Sequence, residues 1–215
     1  MNNTHGKELR SFSFEIRGEN DEKHGDYLVG VPIVFNQRTK LYDWVEMIAP
    51  NALDKTDLRD VPFLVNHDTN KLPLARSRNN NENSTMQMTV ESDGMHIRVD
   101  LDTEGNAEAR SLYSAVKRGD ISGMSFMFRV DSDEWEDLDS ERPLRTITGI
   151  SKVFEVSAVT WPAYEQTSIE ARSCAKELES SASVLESARE ANAAKEARQA
   201  LINETLRKLE EAKHV

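Results

Sequence analysis

Cysteine is almost missing from this chain of 215 residues: Cys174 is the only one, so no intramolecular disulfide framework and no cysteine metal cage can form. Cys174 lies in a Ser/Ala/Glu-rich stretch with no histidine beside it, and reads as a tolerated thiol of a reducing cytoplasm. Long apolar runs are missing too, since nowhere do 18 apolar residues follow one another, which excludes a membrane-spanning helix. The opening Met1-Asn2-Asn3-Thr4-His5 lacks the basic-then-apolar form of a signal peptide. There is no Gly-rich phosphate loop and no His-x-x-x-His, and carboxylates do not gather around histidines, so neither a metal nor a nucleotide cofactor is expected. No basic stripe stands out, and a net charge of −11 argues against nucleic-acid binding. The expectation is a soluble, intracellular protein with no cofactor, nucleic-acid or membrane partner.

Hydrophobic content of 38% is low for this length, so part of the chain contributes little to a core. Two textures account for it. Residues 1–169 consist of short alternating runs broken by turn clusters, the mark of strands. Strands are expected at 11–16, at 27–35 (where Gly30 and Pro32 point to a bulge or an edge), at 61–67, at 85–90 and 95–101 around an Asp93-Gly94 turn, at 121–130 and at 144–160. A helix follows the cap Asn106, carries a Leu112-Tyr113-Val116 stripe and stops at Gly119. A second, weaker helix pattern covers 51–58, and 131–141 reads as an acidic loop. The sum is an α+β unit: a mostly antiparallel, curved sheet or closed β-barrel with a few flanking helices. From residue 170 to 215 the composition changes, and residues 175–213 contain no Gly, Pro or aromatic residue. Nine acidic and eight basic side chains there give −1, so −10 belongs to the first region. This second region reads as a charged helical or coiled-coil tail whose thin stripe needs a partner, a second copy included, with disorder in the free chain as the competing reading.

Histidine is scarce: besides His67 there are His5, His24, His96 and His214. His67 ends the strand Val61-Pro62-Phe63-Leu64-Val65-Asn66-His67, and Ser125 lies within Gly123-Met124-Ser125-Phe126. Strand parity puts Met124, Phe126, Phe128 and Val130 on a core face and Ser125 opposite, with Ser122 on the core side. The same alternation sets Phe154, Val156 and Ala158 against Glu155 and Ser157. Ser125 and Glu155 then share an outer surface, where a carboxylate can orient a histidine that meets the serine. Each residue also has an ordinary reading. Ser125 can be a half-exposed strand serine, His67 a capping or core histidine, Glu155 a surface carboxylate, and Asn66 and Asp68 turn formers.

The order of segments resembles that of the tailed-phage prohead maturation proteases. It runs from Gly30-Val31-Pro32-Ile33-Val34-Phe35-Asn36 through Glu46-Met47-Ile48-Ala49-Pro50-Asn51-Ala52-Leu53 to Val65-Asn66-His67-Asp68 with Pro73-Leu74-Ala75-Arg76. It continues with Leu101-Asp102-Thr103, with Gly119-Asp120-Ile121-Ser122-Gly123-Met124-Ser125-Phe126, and with Glu155-Val156-Ser157-Ala158-Val159-Thr160-Trp161-Pro162-Ala163-Tyr164. The resemblance implies a serine endopeptidase related in fold to herpesvirus assemblins. Such an enzyme acts inside the assembling procapsid in the host cytoplasm. It cuts scaffold or the capsid protein's scaffolding segment, and often itself, so the major capsid protein and scaffold are the implied partners. It also implies Ser125 as nucleophile and His67 as base, with Glu155 as third member and Asp68 as runner-up. Met127 and Ala75 stand where many relatives have Gly, and Pro50-Asn51-Ala52-Leu53 replaces Pro-Gly-Ala-Phe, which puts groove shape in question rather than the reaction. The tail would bind scaffold or shell, self-associate through its helix, or be removed on activation. The alternative is a catalytically silent capsid-assembly or scaffold protein with the same β fold. Retention of both Ser125 and His67 favours the enzyme.

Overall fold

A computed structural model of the chain describes residues 6–12, 16–41, 43–160 and 171–213, apart from the side chains of 11, 12, 171–182, 212 and 213. Residues 13–15 of the first expected strand, the motif at 161–164 and the Cys174 side chain lie outside the described residues. In chain order come β1 (Lys7–Phe12), β2 (Ile16–Asp21), β3 (Gly25–Val34), β4 (Thr39–Lys40), β5 (Val45–Ile48), β6 (Asp60–Val65), β7 (Ala75–Arg78), β8 (Met86–Val90), β9 (Gly94–Asp100), α1 (Ala107–Arg118), β10 (Gly123–Glu136), β11 (Leu144–Val159) and α2 (Ala171–Lys213). No helix is long and apolar enough to cross a membrane among the described residues.

The fold is α+β, and of the two expected forms, a curved sheet or a closed β-barrel, the barrel is ruled out because the sheets stay open. Two sheets face each other. One is ordered β2-β3-β9-β8; the other follows β1-β10-β11-β5-β4, with β6 also on β11 and β7 on β6. The long strand β11 causes the branching. Its first half pairs with β5 and its second half with β6, both parallel, so antiparallel pairing is not universal. Leu28 and Ile33 of β3, Met95 and Val99 of β9, and Met124, Phe126 and Phe128 of β10 meet between the sheets, all fully buried. Removing such apolar surface from water is the main force that holds the layers together.

Around that core, α1 forms where local signals are complete. Asn106 accepts from the Glu108 and Ala109 amides, Gly119 closes the helix at φ 80°, and Ala109, Leu112 and Val116 are its buried face. It is the one flanking helix among the described residues, where a few were expected. Residues 51–58 form successive tight turns instead: Ala52 donates to Ala49, Asp54 to Asn51 and Thr56 to Leu53. The segment is pulled flat against β11, where the Ile150 amide donates to Ala52 and the Asp57 amide to Ser151. A bulge between Gly30 and Ile33 matches the expectation for β3. At the β8–β9 turn, Gly94 is needed because a Cβ there would lie 2.1 Å from the Ile33 carbonyl oxygen.

Two further expectations fail on non-local pairing. The acidic stretch 131–136 is not a loop but the outer half of β10, laid on β11 with Trp135 opposite Arg145. A register shift after Met127 pairs Phe128 with Val153 and leaves Phe154 over, so alternation breaks there. Val153 is in the core, while Phe154 is half-buried outside, with the Lys7 ammonium 4.4 Å from its ring centre. The tail is helical as expected, and its proximal part touches the body. Leu185 is buried, and Arg189 donates to the carbonyls of Leu138 and Ser140. Beyond it Leu201, Ile202, Leu206 and Leu209 are exposed.

Candidate active site

Three neighbouring strands build the site. Ser125, the third residue of β10, stands opposite Ser11 of β1 on one side and Ser157 of β11 on the other. Paired residues share a face, so Ser125 and Ser157 project together, with Cα atoms about 4.5–5.5 Å apart. Leu64 of β6 continues the same row beyond Ser157. The expected face for Ser125 is therefore right, but its exposure is not: Ser125 and Ser157 are fully buried and Glu155 is 3% exposed. That side of the sheet is a covered, water-poor pocket, where polar groups interact far more strongly than at a surface.

His67 reaches this row from outside the sheet. It does not end a strand; β6 stops at Val65, and Asn66 and His67 turn through left-handed backbone at φ 51° and 58°. Non-glycine residues adopt that conformation uncommonly, Asn and His more readily than most, and two in succession must be held by their surroundings. Asn66 supplies one clamp: its amide donates to Ala158 O at 2.9 Å, and its side chain exchanges hydrogen bonds with Thr160. The other clamp is the His67 amide, which donates to Ser157 Oγ at 3.2 Å. So held, the imidazole places Nδ1 2.6 Å from Glu155 Oε1. Ser157 Oγ in turn donates to Glu155 Oε2 at 2.6 Å. Both carboxylate oxygens are thus engaged, and the imidazole is fixed in position and tautomer. Asp68 takes no part, since its carboxylate accepts from Asn70 within its own turn.

The far nitrogen, His67 Nε2, is buried and has no hydrogen-bond partner among the described residues. The Ser125 hydroxyl donates to the carbonyl of Arg10 in β1 at 2.7 Å. Glu155 and His67 are joined directly, then, while Ser125 lies one strand over, paired in register with Ser157. An imidazole with a carboxylate on one nitrogen and an idle second nitrogen is built to accept a proton. Ser157 is the residue whose role pattern reading missed. Its shared face with Glu155 was visible, but its link to the His67 turn depends on where β6 ends.

Beneath β1 lies a second polar cluster. Arg10 donates to Glu8 at 2.6 Å and to Glu46 at 2.5 and 2.8 Å. Arg145 donates to Glu8 at 2.7 and 2.9 Å, to Glu46 at 3.0 Å and to Asp133 at 2.7 Å. Burial pushes the Glu8 carboxyl up, but Arg10 and Arg145 outweigh it and hold its pKa down at about 2. The same carboxylates raise Arg10 and Arg145 above the usual guanidinium value despite their burial. This cluster clamps β1, whose Arg10 carbonyl holds the Ser125 hydroxyl, to β5, β10 and β11.

Residues 12–181 match the family described as caudovirus prohead serine protease. The prohead protease of Enterobacteria phage HK97 is 28% identical over 169 residues, covering 76% of this chain and 68% of that one. The solved structure of the bacteriophage T4 capsid assembly protease aligns at 15% identity and a TM-score of 0.40, covering 73% of this chain and 99% of that chain. That likeness is loose, and nothing rests on it. The matched span takes in His67, Ser125 and Glu155 together, and the chain belongs to the caudovirus prohead serine protease family.

Proposed function

We propose that the chain is a serine endopeptidase of phage head maturation, with Ser125 as nucleophile, His67 as general base and Glu155 as the acid that orients it. The observation that carries this reading is the 2.6 Å contact of His67 Nδ1 with Glu155, which leaves Nε2 buried and without a hydrogen-bond partner among the described residues. In the reaction Ser125 Oγ leaves the Arg10 carbonyl, gives its proton to Nε2 and attacks the scissile carbonyl carbon. The tetrahedral intermediate collapses as His67 returns the proton to the departing amine, leaving an acyl-enzyme. Water then attacks the ester while Nε2 takes its proton, and the Ser125 hydroxyl is restored. Glu155 accepts from Nδ1–H throughout and stabilises the imidazolium.

Family membership supports a capsid-maturation role, with scaffold or the capsid protein's scaffolding segment as substrate and with self-cleavage, inside the assembling procapsid of the host cell. Residues 1–169 form the protease unit on this reading, and residues 170–215 form an arm. The exposed Leu201, Ile202, Leu206 and Leu209 give the arm an apolar face for scaffold, shell or a second copy. Co-expression with the capsid protein of the same phage tests the reading: wild type shortens the capsid or scaffold chain and Ser125→Ala does not. Equal shortening by both rejects the assignment.

A further inference from the structure

A groove of about 510 Å3 opens between the chain that follows β6 and one side of α1. Leu64, Val65, Leu74, Leu112, Ala115 and Ile121 form its walls, and Leu72, 86% exposed, stands at its mouth. The groove adjoins the proposed catalytic site without being lined by His67, Ser125 or Glu155 themselves. Asn66 and Asp68, on either side of His67, line it, and Ile121 lies on the segment that enters β10 just ahead of Ser125. Leu64 occupies the same cross-sheet row as Ser157 and Ser125. Two strand spacings of about 4.8 Å put that wall roughly 10 Å from Ser125. An extended polypeptide advances about 3.3 Å per residue, so a side chain two or three residues from the bond under attack spans the gap.

The lining decides what enters. The charges lie at the rim and have partners: Lys71 pairs with Glu108 at 2.9 Å, and Asp68 accepts from Asn70. The polar groups on its wall are engaged too, Asn66 with Thr160 and the Ser111 hydroxyl with the Ala107 carbonyl, so an incoming group meets mainly aliphatic wall and an uncovered leucine. Its volume falls in the range of about 300–1,000 Å3 usual for ligand pockets. We propose that this groove is a specificity pocket for a large aliphatic side chain of the substrate polypeptide, two or three residues from the bond that is cut. The proposal rests on the serine endopeptidase reading. It adds that substrates are chosen by burying one apolar side chain beside the His67 turn, where the apolar area removed from water supplies the selectivity.

The test uses the full-length chain and a peptide library made by digesting a denatured proteome, with new ends read by mass spectrometry. Leu, Ile or Met should be enriched at one position two or three residues from the cut. Ala115→Phe fills the groove, and Leu72→Asp puts a charge at its mouth on a residue too exposed to disturb folding. Each should lower the preference for Leu over Ala at that position, as a ratio of kcat/KM, by about tenfold or more. Because the readout is a ratio measured on one variant, a loss of folded protein cancels. Cleavage that depends on Ser125 but has no aliphatic preference, or a preference that both variants leave intact, overturns the pocket alone. A library cut equally by Ser125→Ala, or left uncut by wild type that also fails to react with a fluorophosphonate at Ser125, overturns the protease reading itself.

Discussion

Two buried polar clusters share strand β11 and differ in one respect. In the cluster of Glu8, Arg10, Glu46, Asp133 and Arg145, each charge has partners of opposite sign and no buried side-chain nitrogen or oxygen is left without a bond. In the cluster of Glu155, Ser157 and His67 there are three contacts, two of 2.6 Å and one of 3.2 Å, yet His67 Nε2 has none. A buried polar group left unmade costs about 1–3 kcal/mol, so it persists only where something else requires it. A closed cluster can only hold the chain; an open one can exchange a proton. The closed cluster is still tied to the open one, because it fixes β1, and the Arg10 carbonyl in β1 is where the Ser125 hydroxyl rests.

Removing the open atom should give the sharpest contrast. His67→Ala is expected to slow cleavage by about 10²–10⁴, the usual worth of a general base, while the denaturant midpoint moves little. Capsid-protein cleavage and urea unfolding on one preparation check both halves; a midpoint that falls with activity would make His67 a structural residue. Arg145→Met should do the reverse. It leaves Glu8, Glu46 and Asp133 buried around an apolar side chain, and unfolding should become easier by about 3–5 kcal/mol. Unchanged stability would mean that the cluster is solvated and does not clamp β1.

What was legible in the sequence depended on how far apart the deciding residues lie. Asn106 and Gly119 fixed the ends of α1 because caps are set within a few residues. Alternation put Ser125 and Glu155 on one face because period 2 survives along any unbroken strand. It failed at Phe154, where the bulge that shifts the face is made against β10 and leaves no local mark. The charged stretch 131–136 looked like a loop because its pairing partner, the first half of β11, lies across a turn. The burial of Ser125 was hidden, since what covers that face comes from other parts of the chain. The ionic cluster was hidden most completely. Its five charges come from four strands spread between residues 8 and 145, and nothing near any one of them announces the others.

The closed cluster also predicts how the fold responds to acid. The Glu8 carboxyl ordinarily titrates near 4.5 and is held at about 2 in the fold, so the folded state binds this proton less readily than the unfolded chain. The stabilisation is therefore complete above about pH 4.5 and is lost as pH falls through about 2, with a size of roughly 3 kcal/mol. Urea midpoints between pH 5 and pH 2 should fall in wild type. In Glu8→Gln they should start lower and fall less, and parallel curves would remove Glu8 from the account.

The smallest effect sharpens the comparison most, because Ser157 belongs to the open cluster but behaves like a member of the closed one. Its hydroxyl donates to Glu155 Oε2 and accepts from the His67 amide, so it touches neither the bond under attack nor the proton in flight. It acts through the two groups it holds. A hydrogen bond to a charged group contributes about 1.5–3 kcal/mol, so Ser157→Ala should reduce kcat by roughly 10- to 150-fold and leave KM near its wild-type value. Ser157→Thr keeps the hydroxyl and should recover most of the rate. If Ala lowered kcat and Thr failed to restore it, shape rather than the hydrogen bond would be at work. If Ala changed nothing, the His67 turn would be held by Asn66 alone, and the left-handed backbone at His67 would need only one clamp.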